Sequence, residues 1–288
     1  MSPALEIKNL THCYQPGTPM EVAAIKDANI TIEKGEIVGI IGHTGSGKST
    51  LISHFNGLLK PTKGTVLVDG TDIWSSKEAL RNSRFKVGLC FQYPEYQLFE
   101  DTVFKDIAFG PKNMKLPSDE IKRRVLEASK LAGVKPEMLE KSPFDLSGGE
   151  KRRVAIAGIM AMEPEVLVFD EPSAGLDPKG RRDLNNLIKA YHKKTGSTVI
   201  IVSHSMEDIA KLVDRIIVVN KAAIAMDGTV SEVFSRSEEL KSMGLNVPEI
   251  TEVFARLKAM GYDVPLDVYT VEYGADRLRE LLGKGVGK

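Results

Sequence analysis

Hydrophobic and polar positions alternate with period two near the start of the chain, at Leu5 and Ile7 and again over Ile30-Thr-Ile32. That alternation predicts half-buried strands. Lys34-Gly35 turns the chain into Glu36-Ile-Val-Gly-Ile-Ile41, an apolar run suited to a strand covered on both faces. The period then changes. Leu51, Ile52, Phe55, Leu58 and Leu59 fall at helical spacing, predicting a helix that opens in Gly45–Lys48 and is closed by Pro61 and Gly64. Thr65-Val-Leu-Val-Asp-Gly70 reads as a strand ended by a turn.

From Pro94 to Pro164 the pattern is mostly helical, with breaks expected at Gly110-Pro111, Pro117, Gly133 and Pro143. Ser118 is the expected N-cap of a helix whose Ile121, Val125, Ala128 and Leu131 share one side. Strands return at Val166-Leu-Val-Phe169 and Thr198-Val-Ile-Ile-Val202, with a helix over Arg182 to His192 between them. Strands alternating with helices imply a parallel sheet with crossover helices. Ile216–Val219 and Ala223–Met226 read as a hairpin ending at Asp227-Gly228. Beyond about residue 235 the clearest signal is a stripe of Ile250, Val253, Phe254, Leu257 and Met260. Arg277–Leu282 is a second helix, and Gly283-Lys-Gly-Val-Gly-Lys288 is expected to fray.

Composition narrows the class. Lys plus Arg and Asp plus Glu are 39 each, so no bulk positive charge favours nucleic acid, and no nucleic-acid partner is expected. The two cysteines, Cys13 and Cys90, have no metal-ligand spacing and no disulfide framework, which fits a reducing cytosol. The N-terminus reads as a strand and not as a signal peptide. No run approaches the roughly 20 apolar residues of a membrane helix, so service to a membrane would need another chain to span it.

Gly42-His-Thr-Gly-Ser-Gly-Lys-Ser49 matches the phosphate-binding pattern G-x-x-x-x-G-K-[ST], between an apolar strand and a helix. Backbone amides of Gly42, His43, Thr44, Gly45, Ser46 and Gly47 and the helix N-terminus continuing through Thr50 would face the phosphates. Lys48 would reach the β- and γ-phosphates, and Ser49 would offer a hydroxyl to Mg²⁺. Val166-Leu-Val-Phe-Asp-Glu171 ends a strand with two carboxylates. Asp170 suits Mg²⁺, held through water, and Glu171 suits the general base for an attacking water. ATP and Mg²⁺ are the expected cofactors.

Leu146-Ser-Gly-Gly-Glu-Lys-Arg-Arg153 resembles the ABC ATPase signature L-S-G-G-Q, with Glu150 standing where Gln is usual. The resemblance spans roughly residues 4–235 and implies an α/β P-loop NTPase with a RecA-like core, an antiparallel β subdomain and a helical subdomain over about 93–165. It assigns Ser147, Gly148 and Gly149 to the γ-phosphate of ATP held by a partner cassette, in a head-to-tail dimer. Glu150 is expected to point away from that phosphate. Gln92 resembles the Q-loop glutamine that touches Mg²⁺, Asp177 the D-loop aspartate at the dimer interface, and His204 the switch histidine. Tyr14 would stack on adenine. His12, His43, His54 and His192 read as surface or loop residues, although His43 lies within the phosphate loop.

Phe91-Gln-Tyr-Pro-Glu-Tyr-Gln-Leu-Phe99 is similar to the corresponding stretch of energy-coupling factor (ECF) transporter ATPases, with Tyr93 where Asn is frequent. In that family two ATPases sit peripherally at the cytoplasmic face of the cell membrane. They work under a transmembrane T subunit, contacted here through Gln92–Phe99, and beside a substrate-binding S subunit that takes up vitamins or transition-metal ions. The Ala-Gly-Leu-Asp-Pro178 D-loop and Lys179-Gly-Arg181 lean toward the second ATPase of a heterodimeric pair, with a homodimer left open. Residues 236–288 are expected to be a small C-terminal domain that dimerises, binds a regulator or caps the core. The alternative is a soluble ABC ATPase, such as an iron–sulfur assembly scaffold. A non-catalytic nucleotide sensor is disfavoured by intact Lys48, Asp170, Glu171 and His204.

Overall fold

The computed structural model describes residues 2–285, with no side-chain description beyond residue 281. Strands β1 (Leu5–Tyr14) and β2 (Val22–Ile32) pair antiparallel. β3 (Ile37–Ile41) then enters a second sheet and leads through the phosphate loop into α1 (Lys48–Phe55). β4 (Lys63–Val68) and β5 (Thr71–Asp72) complete a four-stranded antiparallel sheet in the order β2-β1-β4-β5. After α2 (Lys77–Lys86) and β6 (Val87–Cys90), three helices form a separate layer: α3 (Val103–Asn113), α4 (Ser118–Ala132) and α5 (Gly148–Met160). The chain returns through β7 (Val166–Asp170), α6 (Pro178–Thr195), β8 (Thr198–Val202) and α7 (Met206–Leu212). β9 (Arg215–Asn220) and β10 (Ala223–Thr229) form the expected hairpin, turned at Lys221-Ala222 with both residues at positive φ. Helices α8 (Val230–Phe234), α9 (Ser237–Ser242), α10 (Glu249–Ala259) and α11 (Val271–Gly285) follow.

The second sheet runs β10-β9-β3-β8-β7-β6, and its pairings from β9 to β6 are all parallel. Period-two geometry sorts its side chains. Val38, Ile40, Val168 and Val202 join Leu51, Phe55 and the antiparallel sheet in one core. Ile37, Ile41, Phe169 and Ile201 join α3–α6 in the other. That second core continues through Phe234, Leu240, Leu245 and Val247. A small separate core holds Phe254, Val264 and Val268.

Several local expectations need correction. α1 ends at Phe55, because Gly57 takes a left-handed φ of 69° and donates its N–H to His54 O; Leu58 is left 48% exposed. α3 runs through Gly110-Pro111, with Pro111 so near the C-terminus that little of the hydrogen-bond ladder follows it. Pro117 holds the N-cap position of α4, and Ser118 is its first helical residue. The Arg182–His192 helix starts earlier, at Pro178, because the Asp177 carboxylate accepts from Gly180 N. On α10, Phe254 is fully buried but Val253 is exposed, as is Met260 at the helix's C-cap. The Gly283–Lys288 tail is helical as far as Gly285, and residues 286–288 lie outside the described residues.

Candidate functional site

The strand order creates the site. Going across β3, β8, β7 and β6, the C-terminal ends deliver the phosphate loop, His204, Asp170 with Glu171, and Gln92. Ligand sites of parallel α/β sheets form at this edge. A cleft of about 660 Å³ opens there, lined by Tyr14, Thr44, Gly45, Gly47, Lys48, Ser49, Thr50, Gln92, Asp170, Glu171 and His204, together with Val22–Ala24 of β2 and Ala174.

The other loop residues do different work. Gly42 and Ser46 are buried beneath the loop, and Lys48 Nζ donates to Gly42 O at 2.7 Å and His43 O at 3.1 Å. The His43 ring contacts Thr44 O at 2.7 Å and does not line the cleft. Gly47 is the N-cap of α1 at φ 111°, where a Cβ would strike Ala24 O, so glycine is required on both steric and conformational grounds. The Tyr14 hydroxyl lies 3.1 Å from Thr50 Oγ1, fixing the ring at the cleft's edge.

Burial sets the electrostatics. It raises the pKa of Asp170, against the pull of Ser49 and Lys48, and raises that of Glu171, against the His204 amide and Lys48. Burial also lowers Lys48, with Glu171 and Asp170 opposing. His204 is lowered by burial and by Lys48, so its ring favours the neutral form. Asp170, Ser49 and Gln92 present a carboxylate, a hydroxyl and an amide oxygen to one cleft. Oxygen donors with few carboxylates suit Mg²⁺ that completes its shell with water and phosphate. Among the described residues no cluster of three or more His, Cys, Asp or Glu side chains is arranged to hold a metal alone.

Ser147, Gly148, Gly149 and Asp177 do not reach this cleft. Gly149 and Asp177 line a different one, of about 640 Å³, between α5 and α6. The signature therefore cannot serve the nucleotide cleft of its own chain as arranged here. Glu150 does not project away; its carboxylate folds back to accept from Ser147 N at 2.9 Å and from Ser147 Oγ at 2.6 Å. An N3 glutamate commonly turns back this way to satisfy free amides at a helix start.

The sequence left two buried polar features unseen. His12 and His54 are buried, contrary to the surface assignment, with His54 Nε2 3.2 Å from His12 Nδ1. His54 lies three residues beyond Leu51 and beside Phe55 on the buried face of α1, a spacing that could have revealed it. Arg152, not singled out by the sequence, is also buried, four residues before the buried Ile156.

A parallel sheet with a phosphate loop, two strand-end carboxylates and a helical layer carrying a second glycine-led helix start defines a P-loop ATP-binding cassette. The ABC transporter family model matches residues 25–174. An energy-coupling factor transporter ATP-binding protein EcfA2 from Caldanaerobacter subterraneus subsp. tengcongensis is 52% identical, over 96% of this chain and 97% of that protein. The protein of the same name from Clostridium perfringens is 51% identical, over 97% and 98%. The solved CbiO1 of Clostridium perfringens, described as part of the ABC transporter complex cbiONQ, superposes with a TM-score of 0.75. It is 38% identical and covers 91% of this chain and 98% of its own. An ATP-binding cassette solved as a post-hydrolysis dimer with ADP and Pi gives a TM-score of 0.70 at 30% identity, covering 78% and 98%. The chain belongs to the ABC transporter family, among its energy-coupling factor ATP-binding proteins, and is an ATP-hydrolysing subunit coupled to transport. No helix among the described residues is long and apolar enough to cross a membrane.

Proposed function

We propose that this chain, paired head to tail with a second cassette, powers uptake of a vitamin or transition-metal ion through a transmembrane T subunit and a substrate-binding S subunit. It works peripherally at the cytoplasmic face of the membrane. Each nucleotide lies between the phosphate loop of one cassette and the Ser147-Gly-Gly149 helix start of the other. Lys48 holds the β- and γ-phosphates, Ser49, Gln92 and Asp170 hold Mg²⁺, and Glu171 takes the proton of the attacking water while His204 contacts the γ-phosphate. Asp177 faces the partner cassette, and Tyr14 stacks on adenine. Residues 1–235 form the ATPase domain, and 236–288 a small C-terminal extension that begins by packing Leu240, Leu245 and Val247 into the ATPase core and whose exposed Val253, Met260 and Tyr262 fit a dimerisation role.

The observation that carries the membrane coupling is an apolar groove at the Gln97–Phe99 end of the segment that follows Gln92. It has a volume of about 360 Å³ and is walled by Leu98, Phe99, Phe109 and Ile159. Phe99 and Phe109 meet edge to face at 4.9 Å and stay exposed, Phe99 by 57%. Such a groove suits the apolar face of a helix from a membrane partner. Leu98 itself packs against the main core, so Phe99 is the better probe. Phe99→Glu is expected to weaken assembly with the T subunit at least tenfold, as loss of an interface aromatic of roughly 2 kcal/mol would. ATP affinity should stay within about twofold, because Phe99 does not line the nucleotide cleft. Equal losses in pull-down and nucleotide titration would overturn the coupling role.

A further inference from the structure

Arg152 occupies a junction that neither the nucleotide site nor the partner groove uses. It is buried on α5, one turn after the signature residues. Its Nη1 donates to Ala174 O at 2.9 Å and its Nη2 to Pro172 O. Those two carbonyls belong to the turn that follows Glu171. The turn is closed by Ala174 N donating to Glu171 O, and Glu171 itself sits at φ 49°. A non-glycine residue in that conformation is held there by its surroundings. A planar guanidinium fits two carbonyls of one turn, which a lysine ammonium cannot do with the same geometry.

The same guanidinium faces the other way as well. Nη1 lies 3.9 Å from Oε1 of Glu95, in the short 3-10 turn Pro94–Gln97 that follows Gln92. Glu95 Oε2 and Arg152 Nε are both buried without a hydrogen-bond partner. Buried charged groups left partly unsatisfied are costly, so this pair has unused bonding capacity across a long contact. Tyr93 adds a second link, since its ring lies close to Gly175 in the loop after the Glu171 turn.

We propose that Arg152 is a positioning residue that ties the Gln92–Phe99 segment to the turn carrying Glu171. Movement of Glu95 relative to α5 shifts the guanidinium, and its two carbonyl bonds carry that shift to the Glu171 backbone. The signature helix, the general base and the partner-facing segment thereby share one side chain. The inference rests on the coupling reading above, and the test separates the two.

ATP turnover would be measured for the assembled transporter in proteoliposomes, with wild type, Glu95→Gln, Arg152→Gln, Arg152→Lys and the Glu95→Gln/Arg152→Gln pair. Arg152→Gln is expected to lower kcat about tenfold or more with KM for ATP within about twofold, since misplacing a reacting group costs rate without touching the bound nucleotide. Arg152→Lys should recover part of the loss. Glu95→Gln should lower kcat in wild type but add nothing once Arg152 is replaced, the signature of a shared pathway. Wild-type kcat in Arg152→Gln, or effects of the two substitutions that multiply, would overturn the proposal. Should Arg152→Gln fail to fold, the cycle of Glu95→Gln with Arg152→Lys decides by the same criterion. If the membrane partner leaves wild-type turnover unchanged, the coupling reading fails, and the cycle on basal turnover still judges Arg152.

Discussion

His204 meets Glu171 through both its ring and its backbone. Nε2 stands 3.1 Å from Glu171 Oε1, and the His204 N–H donates to Oε2 at 3.3 Å. The ring contact lacks hydrogen-bond alignment, since Oε1 has no hydrogen-bond partner. The carboxylate is therefore anchored on Oε2, while Oε1 is buried with no hydrogen-bond partner. A carboxylate held in place with unused acceptor capacity suits a general base for water once water reaches it.

Replacing Glu171 with Gln keeps the anchoring contact's shape and removes the basicity. Turnover should fall by roughly 10²–10⁴-fold. ATP binding should persist, because Lys48 and the loop amides are untouched. Steady-state ATPase assays and nucleotide titration check the two halves.

The raised pKa of Glu171 gives that reading a pH signature. The base acts ionised, so kcat should decline as pH falls through its folded pKa, at a pH above the ordinary glutamate value of 4.5. Stability runs the opposite way. A carboxyl with its folded pKa above its unfolded one binds more protons when folded, so acid favours the native state through that window. Nucleotide-free Glu171→Gln should therefore melt higher than wild type at pH 8. The gap should shrink as pH falls toward the ordinary glutamate value. Melting curves at several pH values check the sign.

Glu150 occupies the Ser147 hydroxyl that a partner's γ-phosphate would use. Its hydrogen bonds to Ser147 also hold the Glu150 carboxyl below its usual range, so it stays charged near neutral pH. Glu150→Gln should strengthen ATP-driven pairing of cassettes by a few fold, because it removes a negative charge that would repel the partner's γ-phosphate. Sedimentation of the Glu171→Gln protein with ATP, with and without the second substitution, measures it.

His54 makes the fold acid-sensitive. Its Nδ1 lies 2.7 Å from Thr50 O, which requires Nδ1–H, so Nε2 accepts from His12. Burial pushes its pKa down to about 4. A histidine depressed on folding binds more protons when unfolded, so stability should drop as pH falls from 6.5 toward about 4. His54→Gln should flatten that slope in melting experiments between pH 7 and pH 4.5.

The phosphate loop and the strand ending in Asp170 and Glu171 were legible because each is a contiguous pattern with its own strand or helix attached. The strand order brings the two together, because parallel strands present ligands at their C-terminal ends. The His12–His54 pair was not, because its members are 42 residues apart and each alone reads as polar. Arg152 was hidden for the same reason: its partners are backbone carbonyls in a distant turn, which no side-chain pattern announces. The exposed half of the α10 stripe shows a further limit. Helical spacing reports an apolar face, but the small core around Phe254 covers only part of it.

The most direct test of the central claim is purification of the protein from solubilised membranes under native conditions, with mass spectrometry of the chains that come with it. A multi-span membrane protein together with a second, related cassette is the expected result. Recovery of soluble partners alone, with no membrane protein, would contradict it.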